Sequence, residues 1–431
     1  MPKAHPLRFR IAPARRADAA SVLGEALGGR HVQLFTFADD TVLLSPDESE
    51  ALSARYGGAR AAEILSEAGL SGVETVNWGE VLRWYADTGL EPYEAPNRDA
   101  RDFAKRRTRN RDWHLQACSV HAAWKALGGP GSIDWGRVRV GQIDTGYTAH
   151  PVFGFPDTSW IDEKAARSMR GSSPTPDGVD PLAGGNDGHG TRTASVICGF
   201  DRRYRGVAPK VPLVPVRIGD CVIIDRQLDE FAAALRYLVD EARVGVVSVS
   251  MGTFLRRSAP HAVRRAVDHC YERGVILVAA AGNVPVRGWP AYPASLARTI
   301  AVAGVTSDAR PWGGGSRGDW VDLSAPAMDV RHASTEEAAR YGHDATSSGT
   351  SYATAMTAGA AALWLVAHAA RIDAAYPHPW QRVEAFRLAA RRTARKLAAR
   401  YRNSGNGAGI LNVARLVAPA ALPPAGDLVA R

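Results

Sequence analysis

Three short motifs stand in the order aspartate, histidine, serine along this 431-residue chain. Ile143-Asp144-Thr145-Gly146 closes an apolar run. Asp187-Gly188-His189-Gly190-Thr191 opens the segment TASVICG, and Gly349-Thr350-Ser351-Tyr352-Ala353 opens an Ala-rich one. These residue types suit acyl transfer. A serine hydroxyl is a poor nucleophile until a neighbouring base takes its proton. Neutral His189 can do that near neutral pH and then protonate a leaving amine. Asp144, at a strand end, would hold the imidazole tautomer and stabilise the imidazolium. Ser351, opening a helix, would aim its backbone N–H at a developing oxyanion, where the helix dipole favours negative charge. DTG and HGT each occur by chance, but the three motifs in this order, each at the edge of a strand or helix, are specific.

The elements that must position them are legible from Trp113 onward. VRVGQID, PLVPVRI, VGVVSVSMG, VILVAAAGN and TIAVAGV are nearly continuous β-rich runs. Between them lie helical patterns, one with Leu228, Phe231, Leu235 and Leu238 on one face. Another has Ala262, Ala266 and Cys270 four residues apart and stops at Gly274. Strands this apolar, alternating with amphipathic helices, indicate an α/β fold: a doubly wound, mostly parallel sheet with helices on both faces. Catalytic groups in such folds gather at the carboxyl ends of the strands.

Taken together, these motifs resemble the subtilisin-like serine proteases (subtilases), whose triad runs Asp, His, Ser along the chain. The resemblance covers roughly residues 113 to 416. Its further landmarks are Gly206-Val207-Ala208-Pro209, Tyr292-Pro293-Ala294, Val321-Asp322-Leu323-Ser324-Ala325-Pro326 and Gly407-Ala408-Gly409-Ile410-Leu411-Asn412. It implies a serine endopeptidase acting on protein or peptide substrates through an acyl-enzyme on Ser351. Asn283, ending VAAAGN, would be the second oxyanion donor. Ser250-Met251-Gly252 would pair with the substrate backbone and, with Ala280-Ala281-Gly282, wall an uncharged specificity pocket. Two departures stand out. Ala355 occupies a position where the family usually has proline, and Arg192-Thr193 follow the histidine motif where His-Val is common; neither is needed for proton transfer. Many members bind structural calcium. The spacing of Asp177, Asp180 and Asp187 matches no calcium loop, so they are read as solvated turn residues; no cofactor or metal ligand is assigned, and a structural calcium stays open, not placed by the sequence. A binding module without catalysis, and acyl transfer to an amine instead of water, stay open.

Residues 1–95 read as a small α+β domain in the order β-α-β-β-α, the outline of a ferredoxin-like sandwich. Residues 96–112 are a basic linker, 113–419 the catalytic domain and 420–431 a C-terminal tail. Many relatives carry a prodomain of this size that caps the cleft, and Lys105-Arg106-Arg107 offers a site for its removal. A permanent accessory domain is the competing reading. The net charge of +9 is spread over the length, so neither a nucleic-acid partner nor a membrane is expected. No secretory signal is legible, and no stretch is read as long and apolar enough to span a bilayer. Cys118, Cys198, Cys221 and Cys270 are read as thiols, and the location as cytoplasmic.

Overall fold

The apolar runs beyond residue 138 do assemble into one parallel sheet. The computed structural model describes residues 7–10, 15–27, 34–38, 41–44, 52, 54–56, 58–75 and 111–431, the last without 172–173, 184–185, 254–258, 284–289 and 336–344. The chain divides into two units. One comprises Met1–Arg111, Asn283–Trp289 and Gly313–Ser316, the other Asp112–Gly282, Pro290–Trp312 and Arg317–Arg431.

In the first unit, strands β1 (Leu7–Arg10), β2 (Leu34–Ala38), β3 (Thr41–Leu44) and β4 (Ser71–Thr75) lie in the order β2-β3-β1-β4, all antiparallel. Helices α1 (Arg16–Ala26) and α2 (Gly58–Glu67) turn Ala19, Leu23, Ala61 and Ile64 into a core with Phe9 and Leu44. This is the strand order of a ferredoxin-like sandwich. Strand β4 completes it and is absent from the sequence reading, because SGVET has one large apolar side chain and therefore no alternation to detect. The expected linker, with Lys105-Arg106-Arg107, lies outside the described residues except for Arg111 and Asp112.

The second unit carries β5 (Val140–Asp144), β6 (Arg167–Ser168), β7 (Leu213–Arg217), β8 (Val246–Val249), β9 (Ile276–Ala280), β10 (Ile300–Val305) and β11 (Leu323–Pro326). Their order is β11-β10-β9-β8-β5-β7-β6, and all six pairings are parallel. Side chains alternate across such a sheet. Ile143, Val247, Val249, Leu277 and Ala279 share one core with helices α3 (Leu228–Asp240) and α4 (His261–Glu272). Gln142, one residue out of phase, faces helix α5 (His189–Cys198) on the other side.

Helix α6 (Thr350–Ala375) packs against β8 to β11 and against α5. Ala, Thr and Gly dominate its first four turns, so it is buried around its whole circumference there. Contrary to the sequence reading, α6 is long and apolar enough to cross a membrane, but 78% of its apolar window is buried within the protein. Helix α7 (Pro379–Thr393) is tied to the sheet by Arg387, which bonds Asp322 (2.5 Å), Glu384 (3.1 Å) and the carbonyls of Ala297 (2.9 Å) and Thr299 (3.1 Å). The segment read as a tail is held too: Tyr376 Oη donates to Pro423 O (2.7 Å) and Arg431 N–H to Tyr271 Oη (3.0 Å).

Candidate active site

Strand order reverses beside β5, since the chain goes from β5 to edge strand β6, places β7 between them and then adds β8 on the other side of β5. The crevice at the carboxyl ends of strands at such a reversal is where open α/β sheets bind ligands. Asp144 ends β5, and Ser250 directly follows β8. Asp144, His189 and Ser351 are all buried.

Asp144 Oδ1 accepts the Thr145 N–H (2.8 Å) and faces His189 Nδ1 at 2.6 Å. Opposite a carboxylate that close, Nδ1 carries the proton, which leaves the Nε2 lone pair as the basic site. Nε2 is buried and has no hydrogen-bond partner among the described residues. The glycines flanking His189 are required by packing. Gly188 has φ +69°, and a Cβ on Gly190 would collide with the carbonyl of Gly146.

Ser351 is the second residue of α6, so its N–H has no partner within the helix. Its hydroxyl donates to the Ser250 carbonyl (3.4 Å), while the Ser250 hydroxyl donates to the Ser351 carbonyl (3.1 Å). This reciprocal pair fixes the start of α6 against the end of β8. Ribbon strands β12 (Val330–His332) and β13 (Ala345–Ser347) steady the approach to the helix, with His332 stacked on Tyr352 at 5.4 Å. Burial, helped by the nearby Arg192 charge, lowers the His332 pKa to about 3, so His332 stays neutral. With α5 and α6 packed together, His189 and Ser351 open adjacent helices.

Two residues passed over in the sequence complete the aspartate's setting. The Thr193 hydroxyl lies 3.2 Å from Asp144 Oδ2 and accepts a hydrogen bond from Gln142 Nε2 (2.7 Å). Position 193, which the sequence reading marks only as a departure not needed for proton transfer, therefore touches the triad. Periodicity held the signal: Thr193 is one helical turn after His189, and Gln142 is two residues before Asp144 on the same strand face.

The expected pocket walls are mostly backbone. Met251 packs into the core shared with α3 and α4, and Ala281 packs with Ala303 and Val321. Gly252 donates to the Val222 carbonyl (2.9 Å) and accepts from the Ile224 N–H (3.1 Å). The Gly282 N–H donates to the Thr350 hydroxyl (3.2 Å), which ties the end of β9 to the residue before Ser351; Ala280 and half-buried Asn283 flank this stretch. Asp177 and Asp187 are exposed as expected, but Asp180 is only 4% exposed and its oxygens are engaged within the protein. Among the described residues no group of three or more His, Cys, Asp or Glu is placed to hold a metal ion. All four cysteines are free thiols, and burial raises the pKa of Cys118, Cys198 and Cys270.

The chain is similar to the minor extracellular protease Epr of Bacillus subtilis, 28% identical over 248 residues, or 56% of this chain and 33% of Epr. It is 30% identical over 231 residues to a thermostable alkaline protease of Halalkalibacterium halodurans, covering 52% of this chain and 56% of that one. It thus spans a third to just over half the length of these relatives. Among solved structures, a protease of Pseudoalteromonas arctica aligns with a TM-score of 0.59 at 22% identity, over 72% of this chain and 97% of that one, a likeness of fold. Residues 136–409, well over half of the sequence and spanning all three motifs, match the Subtilase family, and the chain belongs to that family.

Proposed function

We propose that the chain is a serine endopeptidase that hydrolyses peptide bonds through an acyl-enzyme on Ser351. The observation that carries this reading is the polarised imidazole: His189 Nδ1 held 2.6 Å from Asp144, with Nε2 buried and unpartnered. In this reading the Ser351 hydroxyl leaves the Ser250 carbonyl and gives its proton to Nε2 as Oγ attacks the substrate carbonyl. The oxyanion forms against the Ser351 N–H and the Asn283 side-chain amide. Imidazolium, stabilised by Asp144, protonates the leaving amine, and water repeats the sequence to release the acid. A fluorophosphonate probe should label Ser351, and mass spectrometry of peptide products should show free carboxylates. An unlabelled folded protein would refute the reading, and amide-linked products would turn it into acyl transfer.

Asn283 is the proposed oxyanion donor, and Asn283→Ala should lower kcat with KM nearly unchanged, because the oxyanion exists only beyond the ground state. The expected loss, on the order of 10²–10³, is taken from the equivalent change in subtilisin. Steady-state kinetics decide; a pure KM effect makes Asn283 a turn residue. Backbone of Ser250, Gly252, Ala280 and Gly282 is proposed to line the substrate cleft. No charged side chain lies in these segments, which favours uncharged P1 residues and is testable by cleavage profiling on a peptide library.

For the N-terminal domain the proposal is a removable prodomain that caps the cleft. Its support is the compact core around Phe9, Leu23 and Leu44, followed by the basic triplet Lys105-Arg106-Arg107. The isolated domain should inhibit the mature enzyme in trans, and wild type should shorten to start between about residues 95 and 113 while Ser351→Ala stays whole. A full-length, fully active wild-type chain refutes it. The four thiols favour a reducing, cytoplasmic setting, and recovery of the protein outside its cells would overturn that.

A further inference from the structure

We propose that Asp180 is a positioning residue that holds the Asp144–His189 pair in register, an inference that rests on the peptidase reading. Asp180 stands in the turn sequence PDGVDP, where a carboxylate is ordinarily solvated. Here it is 4% exposed and three donors converge on it. Oδ2 accepts the Thr145 hydroxyl (2.6 Å) and the Gly188 N–H (2.9 Å), and Oδ1 accepts the Leu182 N–H (2.9 Å). The Thr145 hydroxyl in turn accepts the Gly190 N–H (2.9 Å).

Thr145 is the residue after Asp144, and Gly188 and Gly190 are the two neighbours of His189. One buried carboxylate therefore grips the chain on the far side of both members of the 2.6 Å bond. The site calls for an acceptor-only group, because an acid or amide hydrogen would have to point at a donor. Burial raises the carboxyl pKa, and the bonds from Thr145, Leu182 and Gly188 oppose that rise. A second clamp between the same segments, from the Thr148 N–H to the Thr191 hydroxyl (2.8 Å), does not involve Asp180. Loss of Asp180 should thus loosen the pair and leave the loops attached.

The test compares Asp180→Ala, Asp180→Asn and Thr145→Val with the full-length wild type. A misplaced catalytic group can cost about 10²-fold. Asp180→Ala should show that loss in kcat with KM little changed. Asp180→Asn, which can keep an oxygen toward Thr145 and Gly188, should recover part of it. Thr145→Val should lower kcat by about tenfold and add little when combined with Asp180→Ala, as expected for two parts of one link. Proton NMR supplies a readout independent of turnover: the Nδ1 proton shared with Asp144, shifted far downfield in wild type, should broaden or move upfield in Asp180→Ala. A folded Asp180→Ala protein with wild-type kcat and an unmoved resonance overturns the proposal. Should that variant not fold, wild-type kcat and resonance in Thr145→Val overturn it equally. A wild type that neither hydrolyses peptides nor takes the fluorophosphonate sinks the peptidase reading instead, and the resonance then decides Asp180 alone.

Discussion

Ser351→Ala is expected to lower kcat by on the order of 10⁶ while the protein stays folded; that magnitude is carried over from the same deletion in subtilisin. The two halves of the expectation have separate causes. Without Oγ no acyl-enzyme can form, and the polarised His189 has no proton to take. What remains is binding and whatever oxyanion stabilisation acts on direct attack by water. The fold loses little, since among the described residues the hydroxyl makes only the 3.4 Å bond to the Ser250 carbonyl. The 3.1 Å bond from Ser250 Oγ to the Ser351 carbonyl survives, and alanine is the best helix former. Adding His189→Ala should cost almost nothing more, because residues that act as one unit are non-additive. Thermal unfolding within a few degrees of wild type, alongside turnover near the uncatalysed rate, is the expected pair of results. Comparable turnover by mutant and wild type would remove Ser351 from the mechanism.

Asp144→Asn should be the next most damaging change, lowering kcat by about 10⁴, the figure known for serine-protease triads. The asparagine is isosteric and can still accept from the Thr145 N–H, so the strand end keeps its shape. The charge is what disappears. When His189 becomes imidazolium during attack, a neutral amide then lies where a carboxylate stood 2.6 Å away in a buried site. In such a site the interaction is screened far less than in water. The loss should fall on kcat, with fluorophosphonate labelling slowed in parallel. Wild-type labelling rates in a folded Asp144→Asn protein would show that Asp144 only shapes the loop.

How much of this was legible in the sequence depended on whether chemistry or geometry selected each residue. Asp144, His189 and Ser351 were visible because acyl transfer tolerates few residue types at those points and glycines mark the tight contacts around them. The core strands showed because burial on both faces demands unbroken apolar runs. Strand β4 and the ribbon of β12 and β13 were hidden, since short strands of mixed polarity carry no period. Thr193 and Gln142 could have been found from helix and strand spacing. Asp180 could not: its bond to Thr145 joins residues 35 apart in the chain, and only the folded path of the turn converts a solvated-looking aspartate into a clamp. The Met251 side chain packs into the core, which leaves its backbone for the part the sequence reading gives it.

The backbone of Gly252, bonded to Val222 and Ile224, changes what substrate recognition can be at this cleft. On the proposed reading, an extended peptide competes for the Gly252 N–H that the Val222 carbonyl already accepts at 2.9 Å, whereas the Gly252 carbonyl, accepting from Ile224 at 3.1 Å, has a second lone pair to offer. At the N–H, docking is a displacement reaction, in which the hydrogen bond formed replaces one of nearly equal strength. A typical net hydrogen bond is worth only about 0.5–1.5 kcal/mol to begin with, so strand pairing at Gly252 should set the orientation of the peptide and contribute almost nothing to its affinity. Discrimination between substrates then falls to side chains that reach beyond Gly252.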